Sequence, residues 1–195
     1  VISHLACADN KDDLQNANQL KAFLEMTSEL NCPLSLAATG GIILGKEYHF
    51  DICRPGIGLY GGAPFKEAKP VVNLSLPVIQ TRALAPEEAV GYGATWTAHR
   101  PSLIATLSAG YADGLIRAMS GRAVVYANGI PCPIAGRVSM DLITVDVTHL
   151  TDIPENMEIL CEQQSIDQLA DEAGTIGYEI LTSLGNRYNR SYTGV

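Results

Sequence analysis

Several groups of residues in this sequence have the types and spacing that chemistry needs. Gly56-Ile57-Gly58-Leu59-Tyr60-Gly61 follows a strand-like run and matches G-x-G-x-x-G. A turn of this kind leaves backbone N–H groups able to hold a phosphate. Arg54 stands just before it, and Thr39-Gly40-Gly41 follows the preceding strand-like run with a hydroxyl and further amides. A dinucleotide site would need a helix opening at the glycines and an acidic residue about 20 positions on. Gly62-Ala63-Pro64 is poor helix material, and no acidic residue sits in a clear second strand. The dinucleotide reading fails on both counts. A bland turn, or a phosphate loop at the C-terminal end of a barrel strand, remains. His4 and Cys7 form H-x-x-C with no second pair, so no metal site is expected.

These groups need elements to position them. Residues 1–65 read as strand and helix in alternation, which predicts parallel strands with crossover helices. Strand-like runs cover 1–6, 34–38 and 50–53. Asp12 and Gln15 read as a capping box, and Leu20, Phe23, Leu24, Thr27 and Leu30 follow one-sided helical spacing. Thr39-Gly40-Gly41 reads as a turn into a short helix over 42–44. From residue 70 the pattern changes. Short strand-like runs at 70–84, 103–109, 123–126, 134–138, 143–147 and 157–161 are separated by Pro86-Glu87, Asp113-Gly114, Asn128-Gly129 and Pro131. That spacing predicts an antiparallel barrel or sandwich. Helices are expected over 165–173 and 177–184, with a final strand at 187–192. Residues 61–70 are the expected domain junction, giving domains at 1–69 and 70–195.

Composition narrows the partners. The chain has 195 residues, 47% hydrophobic, enough for one large domain or two small ones. Thirteen Lys and Arg against 21 Asp and Glu give a net charge of −8. With no basic run, neither nucleic acid nor an anionic membrane surface is an expected partner. The five cysteines, at 7, 32, 53, 132 and 161, are odd in number and widely spaced, which favours a reducing, cytoplasmic setting. The chain shows no signal-peptide pattern, and its opening without Met fits a fragment of a longer protein.

Motifs along nearly the whole chain resemble the C-terminal portion of the alanine racemases, fold-type III pyridoxal-phosphate enzymes. They are Ser3-His4-Leu5-Ala6, Arg54-Pro55-Gly56-Ile57 with Leu59-Tyr60-Gly61, and Val90-Gly91-Tyr92-Gly93-Ala94-Thr95-Trp96. Gly110-Tyr111-Ala112-Asp113-Gly114, Gly136-Arg137-Val138-Ser139-Met140-Asp141 and Tyr178-Glu179-Ile180-Leu181 follow in the family's order. The resemblance implies an α/β-plus-β fold: the last strands of a (β/α)8 barrel, then a mostly antiparallel β-domain carrying the catalytic tyrosine. It implies interconversion of L- and D-alanine by two bases, supplying D-alanine for peptidoglycan, in a homodimer with shared sites.

The resemblance also assigns roles. Tyr92 resembles the catalytic tyrosine, which works on the face opposite the cofactor lysine. A free phenol titrates near about 10, so a site that uses one as a base needs neighbouring cations. Read alone, Tyr92 is a turn tyrosine. Arg54 resembles the arginine at the pyridine nitrogen, where a guanidinium cannot practically give up its proton. An ordinary ion pair with Asp51 or Glu47 is the plainer reading. His4 resembles the histidine that buttresses it, against a satisfied core histidine. Gly56, Ile57 and Thr39 resemble phosphate contacts. Met140 resembles the residue whose amide binds the substrate carboxylate, and Tyr111, Arg117, Arg137 and Asp141 would line the mouth.

Four departures stand against the pattern. None of Lys11, Lys21, Lys46, Lys66 and Lys69 lies in the family's cofactor-lysine motif, so this chain alone is expected to be inactive. Ala38 replaces an asparagine, Ser35 a second histidine, and Asn186 a phosphate-binding tyrosine for which Tyr188 or Tyr192 could substitute. Two other readings are a racemase for another small amino acid such as serine, and a non-catalytic β-domain that mediates dimer contacts.

Overall fold

Asp13 starts the first helix by accepting the Gln15 N–H on its Oδ1 at 2.9 Å, and α1 runs Leu14–Thr27. The start lies one residue beyond the expected cap. Asp12 belongs to the preceding turn, where its N–H donates to Asn10 Oδ1. The computed structural model describes residues 1–194 and divides into two units, Val1–Val71 and Val72–Val195.

In the first unit, α1 buries Asn16, Phe23 and Thr27 with Leu20 half-buried, while Leu24 and Leu30 stay exposed. The buried stripe is centred on Phe23, and Leu24 lies about 100° round the helix from it. Phe23 packs edge-on against Phe50 with ring centroids 5.0 Å apart, over Leu5, Leu36, Ala37 and Tyr48. Burial of each large side chain contributes about 1.5–3 kcal/mol. Three segments meet in parallel through the bridges Ile2↔Ser35 and Ala38↔Arg54. They do not form the continuous strands expected at 1–6, 34–38 and 50–53. Phe50 has φ 53°, which breaks an extended run at its start. The run at 34–38 is largely buried without a ladder, while 1–6 and 50–53 are mostly exposed, with Leu5 the buried residue among them. α2 spans Thr39–Leu44, so Thr39-Gly40-Gly41 opens the helix instead of preceding it.

The second unit is built on antiparallel pairing. Its strands are β1 (Leu74–Leu84), β2 (Ala89–Val90), β3 (Trp96–Thr97), β4 (Ser102–Leu107), β5 (Val124–Ala127), β6 (Ile130–Pro133), β7 (Ile143–Asp146) and β8 (Asn156–Leu160). Six form one sheet in the order β6-β5-β8-β1-β4-β7, and the bridge Ile134↔Val145 brings its two edges together. Inward-facing Leu76, Leu107, Val125, Ile143, Val145, Met157 and Ile159 fill the interior. Gln164 is buried among them and donates from Nε2 to Val124 O and Ile159 O, at 2.9 and 2.7 Å.

Asn128-Gly129 is the hairpin turn between β5 and β6, with φ 48° and 80°. Pro131 is not a turn residue; it pairs with Tyr126 inside β6. This is an edge strand, where a missing N–H costs least. Residues 134–138, expected as a strand, hold only the single Ile134 bridge. α3 covers Ile166–Ala173, with Ser165 and Gln168 closing a capping box, and α4 covers Gly177–Ser183. The expected strand at 187–192 does not form. Arg187 and Arg190 fasten this tail by their side chains instead of a backbone ladder. Among the described residues, no helix is long and apolar enough to cross a membrane.

Candidate active site

The first unit gathers its five singled-out residues at the ends of the bridged segments. Arg54 donates from Nη1 to Ser35 Oγ at 2.6 Å and from Nη2 to Ser3 O at 2.7 Å. Nη2 also lies 3.3 Å from His4 Nδ1, which accepts in the tautomer protonated on Nε2. The ion pair with Asp51 or Glu47 is not what holds it: Asp51 Oδ2 accepts the Leu34 N–H. His4 is exposed, so it is not a core histidine. Among the described residues, every partner of the Arg54 guanidinium is a neutral oxygen or a ring nitrogen. Its positive charge is therefore directed, not cancelled.

Gly56 opens a short 3-10 turn, Gly56–Tyr60, with φ 48°. Ile57 is buried under it. The Gly58 N–H donates to Thr39 Oγ1 at 3.1 Å, which ties the glycine turn to the start of α2. A Cβ on Gly58 would sit 2.9 Å from Thr39 Cγ2, so only glycine allows this approach. Thr39 Oγ1, with that amide as donor, keeps its own proton for another acceptor.

In the second unit, Tyr92 sits at the tip of the two-stranded ribbon of β2 and β3, where Ala89 pairs with Thr97 and Val90 with Trp96. Gly91 and Gly93 flank it with φ 75° and 73°, a region closed to most side chains. The turn thereby carries Tyr92 outward, 71% exposed. A Cβ on Gly93 would lie 3.6 Å from the Arg137 guanidinium carbon, so that cation rests against the tyrosine's own turn.

The segment 136–141 joins the remaining residues. Val138 N–H donates to Ser120 Oγ, at the end of the 3-10 turn Arg117–Met119 that carries exposed Arg117. Tyr111 N–H and Ala112 N–H donate to Ser139 O and Met140 O, each at 2.9 Å. This joint is tight: a Cβ on Gly110 would come within 2.4 Å of the Met140 carbonyl. Among the described residues nothing accepts the Met140 N–H. Asp141 Oδ1 pairs with Arg187 Nη1 at 2.7 Å. Tyr92, Tyr111, Arg117, Arg137, Met140 and Asp141 thus lie on turns that one short segment holds together.

Comparison with known proteins bears on what this arrangement is. Residues 71–192 match the family model "Alanine racemase, C-terminal domain", and residues 1–64 match "Alanine racemase, N-terminal domain". The chain belongs to the alanine racemase family. It is 62% identical over 194 residues to the alanine racemase of Dinoroseobacter shibae, covering 100% of this chain and 56% of that protein. It is 46% identical over 204 residues to the catabolic alanine racemase of Agrobacterium fabrum, covering 98% of this chain and 52% of that protein. The chain therefore spans about half the length of the curated relatives it matches. Among solved structures, alanine racemase from Bartonella henselae with covalently bound pyridoxal phosphate superposes with a TM-score of 0.92 at 40% identity, covering 98% of this chain and 56% of that one. The enzyme from Streptomyces coelicolor gives 0.93 at 30% identity, covering 100% of this chain and 56% of that one. The fold is that of the alanine racemases: barrel segments with parallel pairing, then an antiparallel β-domain.

Sequence reasoning passed over three residues of this chain that hold the singled-out ones in place. Ser35, noted only as a departure, receives Arg54 and donates to Ile52 O at 2.6 Å. Asp113, read as part of a turn, caps Gly110 N–H with Oδ2 at 2.9 Å. Arg187, read as part of a strand, pairs with both Asp113 and Asp141. The available signal was an arginine-rich tail, Arg187 and Arg190, in an acidic chain. Tyr188, a suggested stand-in at the phosphate, has its hydroxyl buried with no hydrogen-bond partner among the described residues.

Proposed function

We propose that the complete protein interconverts L- and D-alanine with pyridoxal phosphate as its cofactor. The observation that carries this reading is the match of all of this chain to 56% of a protein named alanine racemase, at 62% identity. The donor set of the first unit fits the cofactor's chemistry. A guanidinium with only uncharged partners suits an unprotonated ring nitrogen, and a hydroxyl beside a glycine turn suits a phosphate. Arg54, buttressed by His4, would hold the ring nitrogen; Thr39, Gly56 and Ile57 would hold the phosphate. The bound group supplies an electron-withdrawing ring that makes an amino acid's α-hydrogen acidic.

Racemisation needs a proton removed on one face and returned on the other. Tyr92 would serve one face, through its phenolic oxygen. The exposed ring and the neighbouring Arg137 cation support that assignment. Met140 would receive the substrate carboxylate on its uncommitted N–H, with Tyr111, Arg117, Arg137 and Asp141 lining the mouth. The second base is a lysine outside this sequence's five, so the 195-residue chain alone is inactive. We further place the complete protein in the cytoplasm, in keeping with its free cysteines, as a homodimer that shares its sites and supplies D-alanine for peptidoglycan.

The test is direct. The complete protein, loaded with pyridoxal phosphate, is incubated with L-alanine and the enantiomers are separated by chiral chromatography. Appearance of D-alanine supports the reading. Bound cofactor without D-alanine overturns it, and faster turnover of L-serine would reassign the substrate.

A further inference from the structure

We propose that Arg187 is a positioning residue that clamps the Tyr111 turn to the Met140 loop; its effect on substrate rests on the functional reading above. Arg187 donates from Nε to Asp113 Oδ1 at 2.6 Å and from Nη1 to Asp141 Oδ1 at 2.7 Å. Asp113 lies two residues after Tyr111, and Asp141 directly follows Met140. Between those carboxylates the two segments are joined by two backbone bonds, Tyr111 N–H to Ser139 O and Ala112 N–H to Met140 O. One guanidinium therefore brackets the joint from both sides.

The parts of the clamp are themselves anchored. Asp113 is almost fully buried, and its second oxygen accepts the Gly110 N–H at 2.9 Å. Gly185 N–H donates to Asp113 O at 3.0 Å, and Arg190 Nη2 donates to Leu184 O and Gly185 O. Arg187 thus enters from a tail fixed at its own root. An exposed ion pair by itself contributes little. This one differs because one carboxylate is buried, and because two nitrogens of a single planar group address two different segments. A lysine ammonium is a point charge and cannot hold that fork. The position left by the clamp is that of the Met140 N–H, the group assigned to the substrate carboxylate.

The experiment uses the complete, cofactor-loaded protein with Arg187→Lys and Arg187→Ala. Hydrogen exchange at the Tyr111 and Ala112 amides is measured together with steady-state kinetics and thermal melting. The expected result is faster exchange at those amides in both variants, a KM for alanine raised about tenfold in Arg187→Ala with kcat little changed, and a smaller rise in Arg187→Lys. Arg187→Lys keeps the charge and a near wild-type melting temperature, so it remains informative if Arg187→Ala does not fold. Unchanged exchange at Tyr111 and Ala112 overturns the clamp. Faster exchange with unchanged KM overturns its link to substrate, as does a fall in kcat that merely tracks lost stability. If the unmodified protein does not racemise alanine, the functional reading falls, and the exchange measurement still decides the clamp.

Discussion

Arg54 Nη1 lies 2.6 Å from Ser35 Oγ, and the same hydroxyl donates onward to Ile52 O at 2.6 Å. Ser35 is fully buried, with its one proton committed to Ile52 O and a lone pair to Arg54. The hydroxyl can accept from the guanidinium only because its proton has somewhere else to go. This holds the Arg54 head against the backbone of the segment bridged to it. It also replaces a titratable partner, expected at this position from the family pattern, with one that does not ionise.

Arg54→Lys should destabilise the protein by about 2 kcal/mol, because one ammonium cannot serve Ser35 Oγ, Ser3 O and His4 Nδ1 together. Ser35→Ala should cost about 1–2 kcal/mol by leaving the Arg54 Nη1 proton without its acceptor. Urea titration measures both. Stability unchanged in both variants would show that the network contributes nothing.

Tyr92→Phe should lower racemisation in the complete protein by about 10²- to 10⁴-fold, the usual contribution of one acid–base group. The ring is 71% exposed, so the fold and cofactor binding should not change. The cofactor absorbance and the rate of D-alanine formation check the two parts. Full activity in the variant would remove Tyr92 from the mechanism.

Gly110→Ala drives a methyl carbon into the Met140 carbonyl, which would lie only 2.4 Å from it. Backbone cannot yield as a side chain tip does, so the Tyr111–Met140 joint must open. A loss of about 2–4 kcal/mol is expected, in the range for steric overpacking and backbone displacement. A thermal melt indistinguishable from that of the unmodified protein would refute the tight joint.

Tyr188 predicts a pH effect. Burial first, and the Asp113 charge second, push its phenol above the ordinary value of 10.0. The folded protein therefore keeps a proton that the unfolded chain releases above about pH 10. Stability from this group is fully present below that pH and falls as pH rises beyond it. Tyr188→Phe should flatten the alkaline decline and leave neutral-pH stability equal or slightly higher, because the removed hydroxyl has no partner among the described residues. Melting temperatures across the alkaline range decide it; an identical decline in both proteins would contradict the assignment.

Much of the fold was legible because local chemistry dictated it. Ser165 and Gln168 sit three apart ahead of an apolar face, and they close the capping box that starts α3. Asn128-Gly129 supplies two left-handed residues, and the β5–β6 hairpin turns there. The rhythm changes from helix and strand to short alternating runs near residue 70, and the chain divides into units at Val71 and Val72. Burial alone misled. Residues 34–38 are apolar and largely buried, yet they pair only through single bridges, because hydrophobicity reports an interior position and not a hydrogen-bond ladder.

The sequence by itself determined the residue types at each turn: glycines around Tyr92, a hydroxyl at Thr39, an arginine before the glycine loop. Those choices follow from backbone angles and donor inventories, which are local properties. Only the tertiary structure decided which of them meet. Arg187 and Asp113 lie 74 residues apart, and Arg54 reaches Ser3 across 51. No periodicity spans such separations. Contacts of that range depend on how the segments pack, and packing is a property of the whole chain.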